Sequence, residues 1–203
     1  MSIEIKITKK RVPYKKAMLY LNKRVEEVKN GKNRELLWIL EHPTTYTAGV
    51  SFNEKEIIDK KIKIFKSNRG GKITLHNPGQ KVIYFVINLN NRKKDIRKFI
   101  NSIEESIIQF LKSYKIQSKS DKKNIGIWVK DKKIAAIGIR VSRWVAYHGC
   151  SINISNNLNQ YLKIIPCGLN NRKVTSIFKE KKIKISNYEN KLAEIFAKNI
   201  KEI

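Results

Sequence analysis

Apolar residues at Tyr14, Ala17, Met18, Leu21, Val25 and Val28 recur at helical spacing. Pro13 stands where a helix can open and Asn30-Gly31 where one can close, so the pattern predicts a first helix between them. Leu36 to Leu40, with Trp38 inside it, is a continuous apolar run and predicts a buried strand, broken by Glu41-His42-Pro43. Residues 50–68 carry no sustained pattern and are expected to form an exposed connection. Arg69-Gly70-Gly71 and Pro78-Gly79 are turn signals on either side of a short strand from Lys72 to Leu75. Val82 to Leu89 predicts a further strand.

A long amphipathic helix is expected next, with Ile96, Phe99, Ile100, Ile103, Ile107, Ile108, Leu111 and Tyr114 on one face. Ile125 to Val129 and Lys133 to Val141 read as two strands joined by the tight Lys130-Asp131-Lys132 turn. Trp144 to Ile154 continues the β character. Ser186 and Glu189 have capping-box spacing, and Leu192, Ile195, Phe196 and Ile200 give a last helix its apolar face. Strands clustered mid-chain with helices between and at both ends predict an α+β fold. The expectation is a single domain over residues 1–203, with a central mixed β-sheet flanked by helices.

Composition narrows the class. A chain of 203 residues with 41% hydrophobic residues can bury a core without a disulfide or metal staple. The net charge of +27 admits three explanations: phosphate neutralisation on nucleic acid, attraction to an acidic protein partner, or a genome rich in Lys codons. Lys supplies 35 of the 44 basic residues, and they are dispersed, as at Lys9-Lys10, Lys60-Lys61, Lys122-Lys123 and Lys181-Lys182. Arg dominates base readout and bidentate phosphate recognition, so this skew argues against specific nucleic-acid binding. Two cysteines, Cys150 and Cys167, do not make a disulfide framework. The first residues lack the apolar core of a signal peptide, and no apolar run approaches the ~18 residues of a membrane span. A cytoplasmic protein that partners neither membrane nor nucleic acid is expected.

Three stretches can carry chemistry. In residues 69–80, paired glycines allow a backbone to approach a ligand. Arg69 there can serve an anionic group, and His76 can exchange a proton or orient a substrate; the competing reading is a plain hairpin. In Lys133-Ile134-Ala135-Ala136-Ile137-Gly138, strand alternation puts Lys133, Ala135 and Ile137 on one face and Ile134, Ala136 and Gly138 on the other. A lysine opening so small and apolar a stretch can border a pocket, where desolvation makes it a usable base; taken alone, one lysine among 35 is ordinarily solvated. In Pro166-Cys167-Gly168, the thiol sits on a bend rather than in a regular element, a setting for a reactive thiolate; the commoner fate of free Cys is burial as a small hydrophobe. Cys150 is expected in the core. His42, His76 and His148 are scattered along the chain without a Cys-x-x-Cys companion, so no metal site is expected.

Taken together, these stretches resemble the lipoyl(octanoyl) transferase family. The matching residues are Leu40-Glu41-His42-Pro43 with Tyr46-Thr47-Ala48-Gly49, then Arg69-Gly70-Gly71 with Thr74, His76 and Pro78-Gly79-Gln80. Gly126-Ile127-Trp128-Val129, the Lys133 to Gly138 run with Arg140, Tyr147-His148-Gly149 with Asn153, Pro166-Cys167-Gly168 and Val174-Thr175-Ser176 follow in the family's order. Asn77 and Leu75 depart from it, standing where Gly and Tyr are usual. The resemblance implies a biotin/lipoate ligase-like fold and transfer of octanoyl from octanoyl-acyl carrier protein. The acceptors it implies are lipoyl domains of 2-oxoacid dehydrogenase E2 subunits and the glycine cleavage H protein. It implies Cys167 as nucleophile, Lys133 as the lysine that depresses its pKa, and no cofactor. It further implies an acyl site lined by Arg69, Gly70, Gly71, Lys72, Ile73, Thr74, Leu75, His76, Ala136, Ile137, Gly138, Gly149, Cys150 and Ser151. The rival of related fold is an ATP-dependent lipoate or biotin ligase, which has no use for Cys167; a nucleic-acid-binding module is the rival from another class.

Overall fold

The computed structural model describes residues 2–166 and 173–203. The predicted first helix is α1 (Tyr14–Lys29), and the apolar run after it is strand β2 (Glu35–Leu40). The hydrophobic middle of the chain supplies β6 (Gln80–Asn88), β9 (Lys132–Ser142) and β10 (Val145–Asn153), with β8 (Ile127–Val129) forming the expected hairpin onto β9. Lys130 takes a left-handed conformation in the tight turn of that hairpin. With β1 (Ile3–Ile7) and the short β7 (Lys119–Ser120), these strands make a mixed seven-stranded sheet in the order β1-β2-β6-β10-β9-β8-β7. Only the β1–β2 pair is parallel.

The two faces of this sheet bury different elements. α1 lays Ala17, Leu21, Val25 and Val28 against Leu36, Trp38, Leu40, Val82, Tyr84 and Val86. On the opposite face, α2 (Ile96–Lys112) and α4 (Glu189–Lys201) pack Phe99, Phe110, Phe196 and Ile200 against Leu37, Ile39, Ile83 and Phe85. Each fully buried side chain of this size contributes about 1.5–3 kcal/mol, so the second face dominates the stability of the domain. Asp95 caps α2 by accepting from the Lys98 N–H at 2.8 Å.

Two expectations need correction. Residues 50–68 are not a plain exposed connection. They contain β4 (Ile64–Lys66), which joins β3 (Thr45–Ala48) and β5 (Ile73–His76) in a second, three-stranded sheet of order β4-β3-β5. Phe52, Ile57, Ile62 and Ile64 pack there around Tyr46, Leu75, Tyr161 and Ile164, contacts too distant in sequence to leave a periodicity. The Ser186–Glu189 pair does not form a capping box. α4 starts at Glu189 with no side-chain cap, and Glu189 instead meets Lys81 at 3.0 Å. Lys81 is buried between Glu189 and Glu41, and that ion triad draws the carboxylate away from the helix end. β1, β3 and α3 (Ile177–Lys181) were not marked by any pattern. Among the described residues, no helix is long and apolar enough to cross a membrane.

Candidate active site

The site follows from an absence of side-chain volume on the α1 face of the main sheet. Cross-strand partners share a face, so that face reads in rows: Leu36–Val86–Tyr147–Arg140, then Trp38–Tyr84–Gly149–Gly138, then Leu40–Val82–Ser151–Ala136. The β2 and β6 ends of these rows are large and lie under α1. The β10 and β9 ends of the last two rows are Gly149, Gly138, Ser151 and Ala136. The small sheet closes over this hollow instead of a helix. The slot so formed is narrow, a cavity of about 60 Å³, and is bordered by Arg69, Gly71, Lys72, Ile73, Thr74 and His76 above and by Ala136 to Gly138 and Gly149 to Ser151 below.

Most of the residues named from the sequence for the acyl site therefore meet around one cavity. Two do not. Leu75 turns the other way on β5 and packs with Tyr46 and Tyr161, while Gly70 borders the outer cleft. Cys150 borders the slot but packs among core residues of the α2/α4 face, as its apolar neighbourhood predicted, and burial raises its thiol far above the usual range. Tyr14, Val82, Tyr84 and His148 also line the slot, without having been singled out for it from the sequence. Tyr14 and Tyr84 were hidden because their spacing equally describes buried hydrophobes.

The polar groups around the slot are spent on one another, which leaves an apolar lining. Arg69 donates through Nη2 to the Thr47 carbonyl at 2.7 Å and through Nη1 to the Gly70 carbonyl at 3.0 Å. It thus ties the 69–71 turn to β3, and a Cβ on Gly138 would come within 3.4 Å of Arg69 Cδ. His42 donates through Nδ1 to the Val12 carbonyl at 2.5 Å, and its Nε2 meets the Tyr84 hydroxyl at 2.8 Å. His76 Nδ1 donates to Gln80 Oε1 at 2.7 Å; Gln80 itself donates to the Leu75 carbonyl, which orients its amide. Burial holds His42 down to about 4, and burial with the neighbouring His42 holds His76 to about 3. The histidines scattered in sequence thus converge: His42 and His76 have ring centroids 5.6 Å apart. Among the described residues no three potential metal ligands cluster.

His148 carries a backbone signature of the site. It lies mid-strand in β10 yet has φ of 66°, a left-handed conformation costing about 1–2 kcal/mol for a non-glycine residue. Consecutive strand residues normally point to opposite faces, but Tyr147 and His148 stack at 4.8 Å and both reach Asn68. Asn68 donates through Nδ2 to Tyr147 Oη at 3.1 Å and accepts from His148 Nε2 at 2.5 Å. Gly149 follows, where a Cβ would overlap the Ile83 carbonyl oxygen. Burial, then Arg69, keeps His148 neutral, down to about 3. The strained step swings His148 onto the slot and latches the small sheet to the large one.

Lys133 is buried, 6% exposed, beside this slot rather than in its lining. Its Nζ donates to the Ile125 carbonyl at 3.0 Å and stands 4.9 Å from the Trp128 ring centroid. Gly126 makes the space: a Cβ there would lie 2.6 Å from the Ala135 carbonyl oxygen and 3.1 Å from Lys133 Cε. Lys133 borders an outer cleft with Gly70, Gly71, Ile125, Ile137 and Ile139, and a small inner cavity with Thr74, Ala136, Ser151 and Pro166. The Lys133 N–H donates to the Lys173 carbonyl and its own carbonyl accepts from the Thr175 N–H, both at 2.9 Å. Cys167, the expected nucleophile, lies outside the described residues.

Asn77, a departure from the expected glycine, is 1% exposed and fully bonded. It donates to the Asn157 carbonyl and Gln160 Oε1 and accepts from Asn156 Nδ2, each at 2.9 Å. The amide knits the β5–β6 turn to the 153–160 segment, and Gly79 beside it has φ of 85°.

Comparison with known proteins agrees with this geometry. A family model described as the lipoyl protein ligase A/B catalytic domain matches residues 13–197. The octanoyltransferase of Bartonella tribocorum is 41% identical over 188 residues, spanning 86% of this chain and 77% of that one. The octanoyltransferase of the Wolbachia of Brugia malayi is 40% identical over 180 residues, spanning 86% and 88%. Among solved structures, a lipoate-protein ligase A bound with ATP superposes with a TM-score of 0.80 at 13% identity, covering 99% of this chain and 86% of that one. A bipartite lipoate protein ligase of Thermoplasma acidophilum, solved in work that also concerned its E2 lipoyl domain, superposes at 0.71 and 14% identity, covering 98% and 85%.

Proposed function

The chain belongs to the lipoyl protein ligase A/B catalytic domain family, and on that premise we propose that it moves octanoyl from an acyl carrier protein thioester to the lysine of a lipoyl domain through Cys167, with Lys133 as the ionising partner. The relatives named octanoyltransferase support the reaction. Lipoyl domains of 2-oxoacid dehydrogenase E2 subunits and the glycine cleavage H protein are the acceptors in this reading.

The observation that carries the reading is the anchoring of both flanks of Cys167 to Lys133. Pro166, immediately before it, borders the same small cavity as Lys133, and the strand-like contact of Lys173 to Thr175 holds the Lys133 backbone on both sides. A free thiol has a pKa near ~8.5, and an adjacent ammonium favours the thiolate. The Cys167 thiolate adds to the thioester carbonyl, the carrier's C–S bond breaks, and the departing thiolate takes a proton from the Lys133 ammonium. Neutral Lys133 then accepts a proton from the incoming lysine amine as its nitrogen attacks the acyl-enzyme. The bond to Cys167 breaks, an amide is left on the lipoyl domain, and the thiolate–ammonium pair is restored. Main-chain N–H groups in the glycine-bearing segments supply donors for the intermediate's oxyanion. The apolar slot takes the acyl tail.

Intact-mass analysis after mixing with octanoyl-acyl carrier protein, without ATP, tests this reading. One octanoyl adduct is expected, lost in Cys167→Ala and formed at least about 100-fold more slowly in Lys133→Met, as for a missing acid–base group. An adduct that survives Cys167→Ala, or transfer that requires ATP and free octanoate, overturns it in favour of ligase chemistry.

A further inference from the structure

We infer that Tyr14 ends the acyl slot and sets the longest chain the site takes; this rests on the slot being the acyl site. The slot has two distinguishable ends. Thr74, Ala136 and Ser151 border both it and the small cavity that holds Lys133 and Pro166, and Gly71, Lys72, Ile137 and Gly138 border both it and the outer cleft. Those residues mark the reactive end. Tyr14, His76, Tyr84 and His148 border the slot but neither of the spaces next to Lys133, and they mark the far end.

The floor agrees with this direction. From the Ala136–Ser151 row to the Gly138–Gly149 row the backbone advances two residues, roughly 7 Å, with almost no side chain above it. The next row is Arg140 and Tyr147, where bulk returns and Tyr147 is tied to Asn68. A chain entering from Lys133 therefore runs over the glycines and meets the aromatic far wall.

Within that wall Tyr14 differs from its neighbours. Tyr84, His76 and His148 come from strands and are bonded to His42, Gln80 and Asn68. Tyr14 comes instead from the first turn of α1; its hydroxyl hydrogen-bonds the Ser67 side chain, and its ring packs 5.5 Å from His42, 5.9 Å from Phe65 and 6.3 Å from His76 by centroids. Truncating it gives up the Ser67 bond and extends the slot into the space between those three rings, while the bonds of His42 and His76 stay in place. A methylene admitted to or excluded from an apolar pocket changes selectivity about 10-fold or more.

The test is single-turnover acylation with octanoyl-, decanoyl- and dodecanoyl-acyl carrier protein, read by intact mass. The expected result for Tyr14→Ala is a rise of about 10-fold or more in the dodecanoyl-to-octanoyl rate ratio. Tyr14→Leu, which keeps apolar bulk and is used if the alanine variant does not fold by circular dichroism, is expected to raise the decanoyl ratio. An unchanged ratio in the folded variant overturns the assignment of Tyr14. Wild-type protein that takes no octanoyl adduct at all overturns instead the reading of the slot on which it rests.

Discussion

Single residues here are chosen less for what they contact than for what they leave open. Gly126 has φ of 139°, and any Cβ would run into the Ala135 carbonyl while crowding the Lys133 side chain. Gly126→Ala is expected to cost about 1–3 kcal/mol through backbone strain and overpacking. Because the nearest flexible neighbour is Lys133 itself, the larger effect is expected on the rate of acyl-enzyme formation. Denaturant unfolding and single-turnover rates measured on the same sample separate the two; a destabilised variant with an unchanged rate would show that Gly126 serves only the backbone. His148 is the opposite case, a side chain that accepts a left-handed backbone to face the slot beside Tyr147. Asn68→Ala removes the shared partner of that pair and is expected to raise the apparent KM for acyl carrier protein more than it lowers kcat, since the roof of the slot is loosened. The opposite split in steady-state kinetics would count against this role.

At the scale of elements, the site is a seam between the seven-stranded sheet and the three-stranded one, stitched by neutral histidines. His42, His76 and His148 are each held below the ordinary imidazole value, mainly by burial, to about 4, 3 and 3. In the unfolded chain they take up protons near pH ~6.5. Between that pH and the folded values the unfolded state binds more protons, so stability rises with pH across the window and is lost as the pH falls below about 6.5. Thermal unfolding between pH 7 and pH 4 is expected to show the loss. His148→Asn is expected to flatten part of the slope even if it lowers the melting temperature throughout. A slope unchanged in that variant would mean His148 contributes nothing to it. The first and last helices were plain from their apolar periodicity, and so was the β8–β9 hairpin. β4 was not, because its three residues are held by contacts with residues 46–76 and 158–164 rather than by any alternation of their own.

Over the whole molecule, charge is the property that remains to be used. Lys122 and Lys123 are exposed, and Lys123 borders the outer cleft in front of Lys133 with Lys72. A cationic rim beside the proposed acyl site would raise the rate of encounter with an acidic carrier domain rather than the rate of the chemical step. Lys122→Glu with Lys123→Glu is expected to lower kcat/KM for octanoyl-acyl carrier protein by about 10-fold or more at low salt. The gap should narrow as ionic strength shortens the screening length toward ~8 Å. A rate insensitive to both the substitutions and salt would leave the +27 charge as composition alone.

Residues 69–80 and 133–138 were legible as candidates because glycines, small residues and isolated polar groups stand out from the apolar pattern around them, whereas 149–151 entered only through the resemblance to a family, which also supplied the roles. The main strands and long helices were legible because one-sided burial imposes a period of two or of 3.6 on the chain. Tertiary structure alone decided that Tyr14, Tyr84 and His148 share a wall, that His42 and His76 touch, and that Leu75 and Glu189 turn to other work. Those facts depend on which faces meet after the chain has crossed the sheet. A side chain's partner seventy or a hundred positions away leaves no local mark, since burial energy records how much surface is covered and not by what.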